Sequence, residues 1–238
     1  MKKVNFILSV VLLFAACHTP NIAISSDLKT NSSVFEAKGR QGLQFNQVIK
    51  FGGYTTSKVK RGWTKSSELN FVVRFKKAEQ KLSFTQNTPD NKSAEVLAVS
   101  RFKSNEIDLL RGYLSYPFDY QNSFAGVIVP NENPDNTWDF IVHNPDASLP
   151  KDADSGLIRS KSGNDILIRG VKKIEGQSGS FGQLDNLGFE FIQNGKPIGA
   201  VSTMNNGRVW LNNELSAELK LVISSVATSL LVRSNISN

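Results

Sequence analysis

The chain has 238 residues, of which 39% are hydrophobic and 21% charged, a composition that fits a globular protein and argues against disorder. Its formal charge of +7 permits attraction to anionic lipid or acidic polymers, although a moderate positive charge is also ordinary. With one cysteine, the chain cannot form an internal disulfide, and its 2 histidines exclude a His/Cys metal site. We therefore expect stability to come from an apolar core, for which 15 phenylalanines and 3 tryptophans supply large side chains.

The first seventeen residues have the layout of a secretory signal peptide. Lys2 and Lys3 precede a mostly apolar run over 4–16, which is shorter than the ~20 residues of a membrane-spanning helix. Small residues stand directly before Cys17, and this arrangement resembles the bacterial lipobox, although Phe14 stands where leucine is most common. The resemblance implies that residues 1–16 are removed and that Cys17 is acylated. The alternative is an ordinary signal peptide that leaves Cys17 as a free thiol.

The lipobox implies an address in the bacterial cell envelope. Residues after Cys17 up to residue 33 are polar and lack sustained periodicity, so we predict that 17–33 comprises the lipidated Cys17 and a polar tether, which acts as a spacer. His18, where an acidic residue could stand, favours sorting to the outer membrane. The expected partner is the lipid bilayer itself, reached through the acyl chains of Cys17.

Short runs rich in β-branched and aromatic residues dominate the region 34–207, and they predict strands. The runs are 47–51, 54–60, 68–77, 80–86, 95–102, 124–129, 137–143, 165–174, 187–193 and 198–203. Asn194-Gly195 predicts a tight hairpin turn, whereas the polar segments 130–136 and 144–156 predict loops. The segment 107–113 is ambiguous between strand and helix.

The end of the chain changes to a helical period. Apolar residues recur at helical spacing over 215–233 and cover most of the cylinder, which is typical of a buried helix. Glu218 and Lys220 shorten the uncharged stretch to about a dozen residues, too few for a bilayer. We therefore expect a helix surrounded by sheet.

Many short strands followed by one terminal apolar helix resemble the tubby C-terminal fold, to which the LURP-one-related proteins and the phospholipid scramblases are similar. The resemblance implies a barrel threaded by its last helix, and binding of lipid or phosphoinositide. None of the binding residues of those families can be matched to positions here. We predict a mainly β fold: one domain over 34–238, an antiparallel barrel or sandwich of about ten to twelve strands with one buried C-terminal helix.

The densest basic stretch mixes cations with an aromatic ring, and it comprises Lys58, Lys60, Arg61, Trp63 and Lys65. Such a mixture could hold an anionic lipid headgroup or an acidic envelope polymer. In a strand, however, Lys58 and Lys60 would share one face and Arg61 the other, which divides the charge. Lysines on an edge strand also discourage aggregation without binding anything.

The segment 176–180 resembles the nucleophile loop of chymotrypsin-like proteases, with Ser178 preceded by His143 and by Asp152 or Asp154. The interval from His143 to Ser178 is far shorter than that fold allows, and a glycine-serine loop explains the segment. The acidic run around Asp152 and Asp154 lacks the bidentate glutamate of a calcium loop, so a solvated loop is the better interpretation.

These patterns favour a non-catalytic binding or structural module anchored to the membrane. The alternatives are a lipid or hydrophobic-ligand binding protein of the tubby-like type and a cell-surface hydrolase. Because we find neither a P-loop nor a dinucleotide fingerprint in the sequence, we expect no cofactor. We also expect no nucleic-acid partner.

Overall fold

The computed structural model describes residues 20–41, 45–62, 80–100, 123–143, 154–177 and 186–233. Over these ranges the chain forms thirteen strands and two helices. The strands are β1 (Ser32–Glu36), β2 (Lys50–Phe51), β3 (Tyr54–Thr56), β4 (Lys60–Arg61), β5 (Gln80–Asn87), β6 (Ser93–Ser100), β7 (Ser123–Pro130), β8 (Trp138–His143), β9 (Asp154–Ser160), β10 (Asp165–Val171), β11 (Gly188–Gln193), β12 (Lys196–Ser202) and β13 (Arg208–Asn212). The helices are α1 (Ser26–Asn31) and α2 (Ala217–Val232). The predicted strand 68–77 and the ambiguous segment 107–113 lie outside the described residues.

The strands form one antiparallel sheet that curls into a nearly closed barrel. Each strand from β5 to β13 pairs with the next, and β1 returns to pair with β13. Just after β1, the amide of Lys38 donates to the carbonyl of Lys50 at 2.8 Å, and the reverse bond is 3.1 Å, so this bridge joins the β1 side of the sheet to β2. The prediction of a mainly β antiparallel fold with a C-terminal helix is confirmed.

Alternation along the strands directs one set of side chains inward. In β10, Ile166 and Ile168 are fully buried, whereas Leu167 between them is 38% exposed. Inward residues of β5 to β13 join the residues of α2 in a single apolar cluster. The core therefore lies inside the barrel, as period-2 patterning requires.

The hairpin predicted at Asn194-Gly195 is confirmed. Both residues have positive φ, 51° and 75°, and they connect Gln193 to its direct partner Lys196. Positive φ at both central positions is the requirement of a type I′ turn, which asparagine and glycine meet at the lowest cost.

Helix α2 lies within the barrel. Its twelve residues 221–232 are all buried, so three successive turns have no exposed face. The helix contacts β5 and β6 on one wall and β12 and β13 on another, and these pairs are well separated around the ring. At its start, the Ser216 hydroxyl accepts from the amide of Leu219 at 3.2 Å and caps the helix. The observed bounds match the predicted helix over 215–233 to within two residues.

The polar residues of α2 are satisfied inside the apolar core. The hydroxyls of Ser224, Ser225 and Ser229 donate to carbonyls of the preceding turn at 2.7–2.9 Å. Thr228 instead donates across to Oε1 of Gln86 in β5 at 2.7 Å, and both side chains are fully buried. Because buried polar groups are costly without partners, this bond fixes the rotation of the helix against the wall.

The predicted tether over 17–33 is wrong for the part that the structure describes. Ile22 and Leu28 are fully buried against the outer face of the sheet, in a cluster with Val171, Ala200 and Trp210. Residues 22 and 174 form a β-bridge, and α1 follows at once. A single bridge residue and one short helix are not long enough to produce a recognisable period in the sequence. The segment therefore had the sequence pattern of a spacer.

Two further differences concern strands that the sequence pattern missed. The predicted loop 144–156 overlaps the first residues of β9, where Gly156 pairs with β8 and β10 on either side. Strand β13 was also missed, although Trp210 and its neighbours form the link between β12 and β1. Small and polar residues weaken the local signal in β9, and β13 has only three apolar residues in a row, so neighbouring strands in the sheet determine the outcome.

Candidate functional site

The predicted basic–aromatic patch is divided by the fold. Lys58 and Lys60 are exposed and flank the buried Val59, whereas Arg61 reaches the end of α2. Trp63 and Lys65 lie outside the described residues. Over the described part, the predicted patch therefore consists of two exposed lysines, Lys58 and Lys60. Arg61 beside them is hydrogen-bonded to the end of α2.

Arginines close the end of the barrel at which α2 finishes, which we call the arginine end. Arg40 donates through Nε to the carbonyl of Leu231 at 3.0 Å and through Nη1 to Asn205 at 2.7 Å and Thr203. Arg61 donates through Nη2 to the carbonyl of Val232 and to Oε1 of Gln47, both at 3.1 Å. The carbonyls of Leu231 and Val232 lie at the negative end of the helix dipole and lack partners within the helix.

Burial lowers the pKa of Arg40 and of Arg61. An arginine stays protonated near neutral pH because its ordinary pKa is far above that range, so both guanidinium groups remain charged at this helix terminus. The sequence analysis missed Arg40, since it is separated from its helix partners by most of the chain and follows no local motif.

The arginine end also carries the most exposed large apolar side chain among the described residues. Phe45 is 81% exposed and lies in a turn with Asn46, directly before Gln47. The side-chain amide of Gln47 donates through Nε2 to the carbonyls of Gly39 and Arg40 at 3.1 and 3.0 Å. These two bonds hold the base of the loop that presents Phe45. Phe45 therefore projects from a loop with a fixed base.

The opposite end of the barrel, where α2 begins, contains a small cavity of about 100 Å³. Its lining includes Lys92, which is paired with Glu132 at 2.6 Å, and Glu218. Glu218 accepts from Asn136 at 2.8 Å and from Nε1 of Trp138 at 3.3 Å. This volume is well below the ~300 Å³ of small ligand pockets, and the polar groups at its mouth are already engaged with one another.

Of the residues considered for a protease, the structure describes His143 and the backbone of Asp154. Ser178 and Asp152 lie outside the described residues. Nδ1 of His143 is 3.2 Å from the hydroxyl of Ser123, its direct neighbour across β7 and β8. Ser123 is fully buried, so a substrate cannot reach its hydroxyl in this arrangement.

The acidic run considered as a calcium loop is also not a loop where the structure describes it. Asp154 begins β9, and Ser155 beside it is buried in the sheet. Among the described residues, no group of three histidine, cysteine, aspartate or glutamate side chains converges as metal ligands would.

Cys17 and the signal-peptide residues lie outside the described residues, so acylation remains a prediction. Within the described ranges, we find no helix with both the length and the apolar character needed to span a membrane. The chain matches no family model, no curated protein and no solved structure.

Proposed function

We propose that this protein is a lipid-anchored bacterial envelope protein, sorted to the outer membrane, whose barrel is a non-catalytic binding or structural module. The anchor is the acylated Cys17, as the lipobox resemblance implies. The working part is the outer surface of the barrel.

One observation carries the proposal for the barrel: its interior holds α2, with all residues over 221–232 buried. A carrier of lipid or another hydrophobic ligand needs a cavity of about 300 Å³ or more. Since α2 occupies the core, this favours a module that acts through its surface over a carrier.

The anchor is tested by Cys17→Ser. After a high-salt wash, we expect the wild-type chain in the membrane fraction with a mass increase from diacylglycerol, and the Cys17→Ser chain in the soluble fraction without it. His18→Ser, which leaves Cys17 intact, is the matched control and should remain membrane-bound. Retention of the Cys17→Ser chain in the membrane fraction after a high-salt wash would refute the lipid anchor.

A further inference from the structure

Exposed charge is distributed unevenly between the two ends of the barrel. Near the arginine end, Lys58, Lys60 and Lys173 are all exposed. The acidic residues nearby have basic neighbours: Glu175 is paired with Lys29 at 2.7 Å, and Glu36 lies opposite Arg208 in the sheet. At the opposite end, exposed acidic residues such as Glu132 and Glu218 are mixed with lysines. Over the part of the chain that the structure describes, the exposed charge near the arginine end is therefore net positive.

Phe45 projects from this same end. An exposed fraction of 81% is unfavourable for so large an apolar side chain in water, and the loop that presents it is held at its base by Gln47. Exposed aromatic side chains beside lysines are the composition with which peripheral proteins enter the headgroup region of a bilayer. Exposed lysines alone could bind a soluble polyanion. The exposed Phe45 ring favours a partner with an apolar region, which a bilayer has.

The first described residues of the chain lie at the arginine end as well. Ile22 lies beside Gly188, which pairs with Ser202 at the end of β12, close to the carbonyls that Arg40 binds. The amide of Ala23 donates to the carbonyl of Lys173, and the amide of Glu175 donates to the carbonyl of Asn21, both at 2.8 Å, so the packed segment begins no later than residue 21. From Cys17 to Asn21 the chain can span at most about 14 Å.

We infer that the arginine end of the barrel docks on an anionic bilayer, with Phe45 inserted among the headgroups and Lys58, Lys60 and Lys173 facing lipid phosphates. This inference rests on the proposed anchor for the orientation, because acyl chains on Cys17 would hold this end within about 14 Å of the membrane surface. The barrel then lies against the bilayer instead of standing away from it on a flexible tether.

The docking is tested without the acyl chains, in the Cys17→Ser chain, so that its result is independent of the anchor. Vesicles of phosphatidylethanolamine with about one third phosphatidylglycerol are compared with phosphatidylcholine vesicles by co-sedimentation. We expect binding to the anionic vesicles at least about tenfold tighter, lost at about 1 M salt because the Debye length is then near 3 Å.

The residue assignments are tested in the same assay. Phe45→Ser should weaken binding to anionic vesicles about tenfold, and Lys58→Gln with Lys60→Gln should weaken it by a similar factor. The matched controls are Val34→Ser, an exposed apolar residue on β1, and Lys161→Gln with Lys196→Gln at the opposite end, none of which should change binding. The additional tryptophan emission of the Phe45→Trp variant should be quenched by brominated lipid. The additional emission of the Val34→Trp variant should not be quenched.

Three results would overturn the inference. Equal binding to both kinds of vesicle would remove the role of charge. Equal losses from the arginine-end and opposite-end lysine variants would remove the orientation. Salt-sensitive binding that Phe45→Ser leaves unchanged, matched by binding to a soluble polyanion, would assign the lysines to a polymer instead of a membrane.

Discussion

A fully buried hydrogen bond connects the middle of the last helix to the wall of the barrel. Thr228 donates to Oε1 of Gln86, and Nε2 of Gln86 donates to the carbonyls of Asn87 and Thr55 at 3.2 and 3.4 Å. Both residues are fully buried, so neither can exchange its partner for water. The bond therefore acts on the orientation of the helix as well as on stability.

We predict that Thr228→Val lowers the free energy of unfolding by about 1–3 kcal/mol, because it leaves the Gln86 oxygen unpaired in the core. Ser224→Ala is the control: the Ser224 hydroxyl bonds only within its own helix, to a carbonyl that Ser225 also reaches, and its loss should cost less than about 1 kcal/mol. Urea unfolding of both variants in the Cys17→Ser chain measures the difference. Equal losses would contradict the assigned role of Thr228.

At the scale of elements, α2 is held at both of its ends. Ser216 caps its first turn, and Arg40 and Arg61 bind its last carbonyls. The arginines come from the segments on either side of the loop that carries Phe45, so the same contacts that finish the helix also fix the base of that loop. Stability and the proposed docking surface therefore depend on neighbouring residues.

Arg40→Met should lower the free energy of unfolding by about 2–3 kcal/mol, since it removes charge-assisted bonds to the carbonyls of Thr203, Asn205 and Leu231. Lys38→Met, an exposed position two residues earlier, should change it by less than about 0.5 kcal/mol. Arg40→Lys retains the charge but loses the planar fork, so an intermediate value is expected. Denaturant titration of the three variants checks the order, and a stability of Arg40→Met equal to that of Lys38→Met would disprove the capping role.

At the scale of the whole molecule, the amino-terminal residues both cover the barrel and close it. Residues 22–31 cover Trp210 and Ala200 on the outer face, whereas β1 pairs with β13 on one side and continues to the bridge with β2 on the other. The first role adds apolar contact to a sheet that is already complete. The second role removes two open strand edges.

Two truncations separate these roles. A chain that begins at Ser32 loses the covering segment but retains β1, and we expect a folded protein that unfolds cooperatively at a lower denaturant midpoint. A chain that begins at Lys38 lacks β1, exposes the edges of β13 and β2, and should aggregate without a cooperative transition. Circular dichroism and size-exclusion chromatography distinguish the outcomes. A cooperative transition in the shorter chain would show that β1 is dispensable for closure.

Sequence alone determined the elements whose signal is local and strong. The period of α2, the alternation in β5 and β10 and the Asn194-Gly195 turn all follow from side-chain spacing and backbone preference within a few residues. Together they were enough to predict an antiparallel β fold around a terminal helix. The anchor at Cys17 is likewise a prediction from sequence, and it awaits the fractionation experiment.

Only the tertiary structure decided the features that join distant parts of the chain. Arg40 and Leu231, Ile22 and Ile174, and β1 and β13 are each brought together across more than half of the sequence, and no spacing rule connects them. The covering role of residues 20–31 was missed for the same reason: Ile22 and Leu28 are buried by a surface that exists only once β11 to β13 have formed. Contacts of this kind depend on closing a long loop and on the shape of the folded sheet. A local sequence pattern therefore cannot predict them.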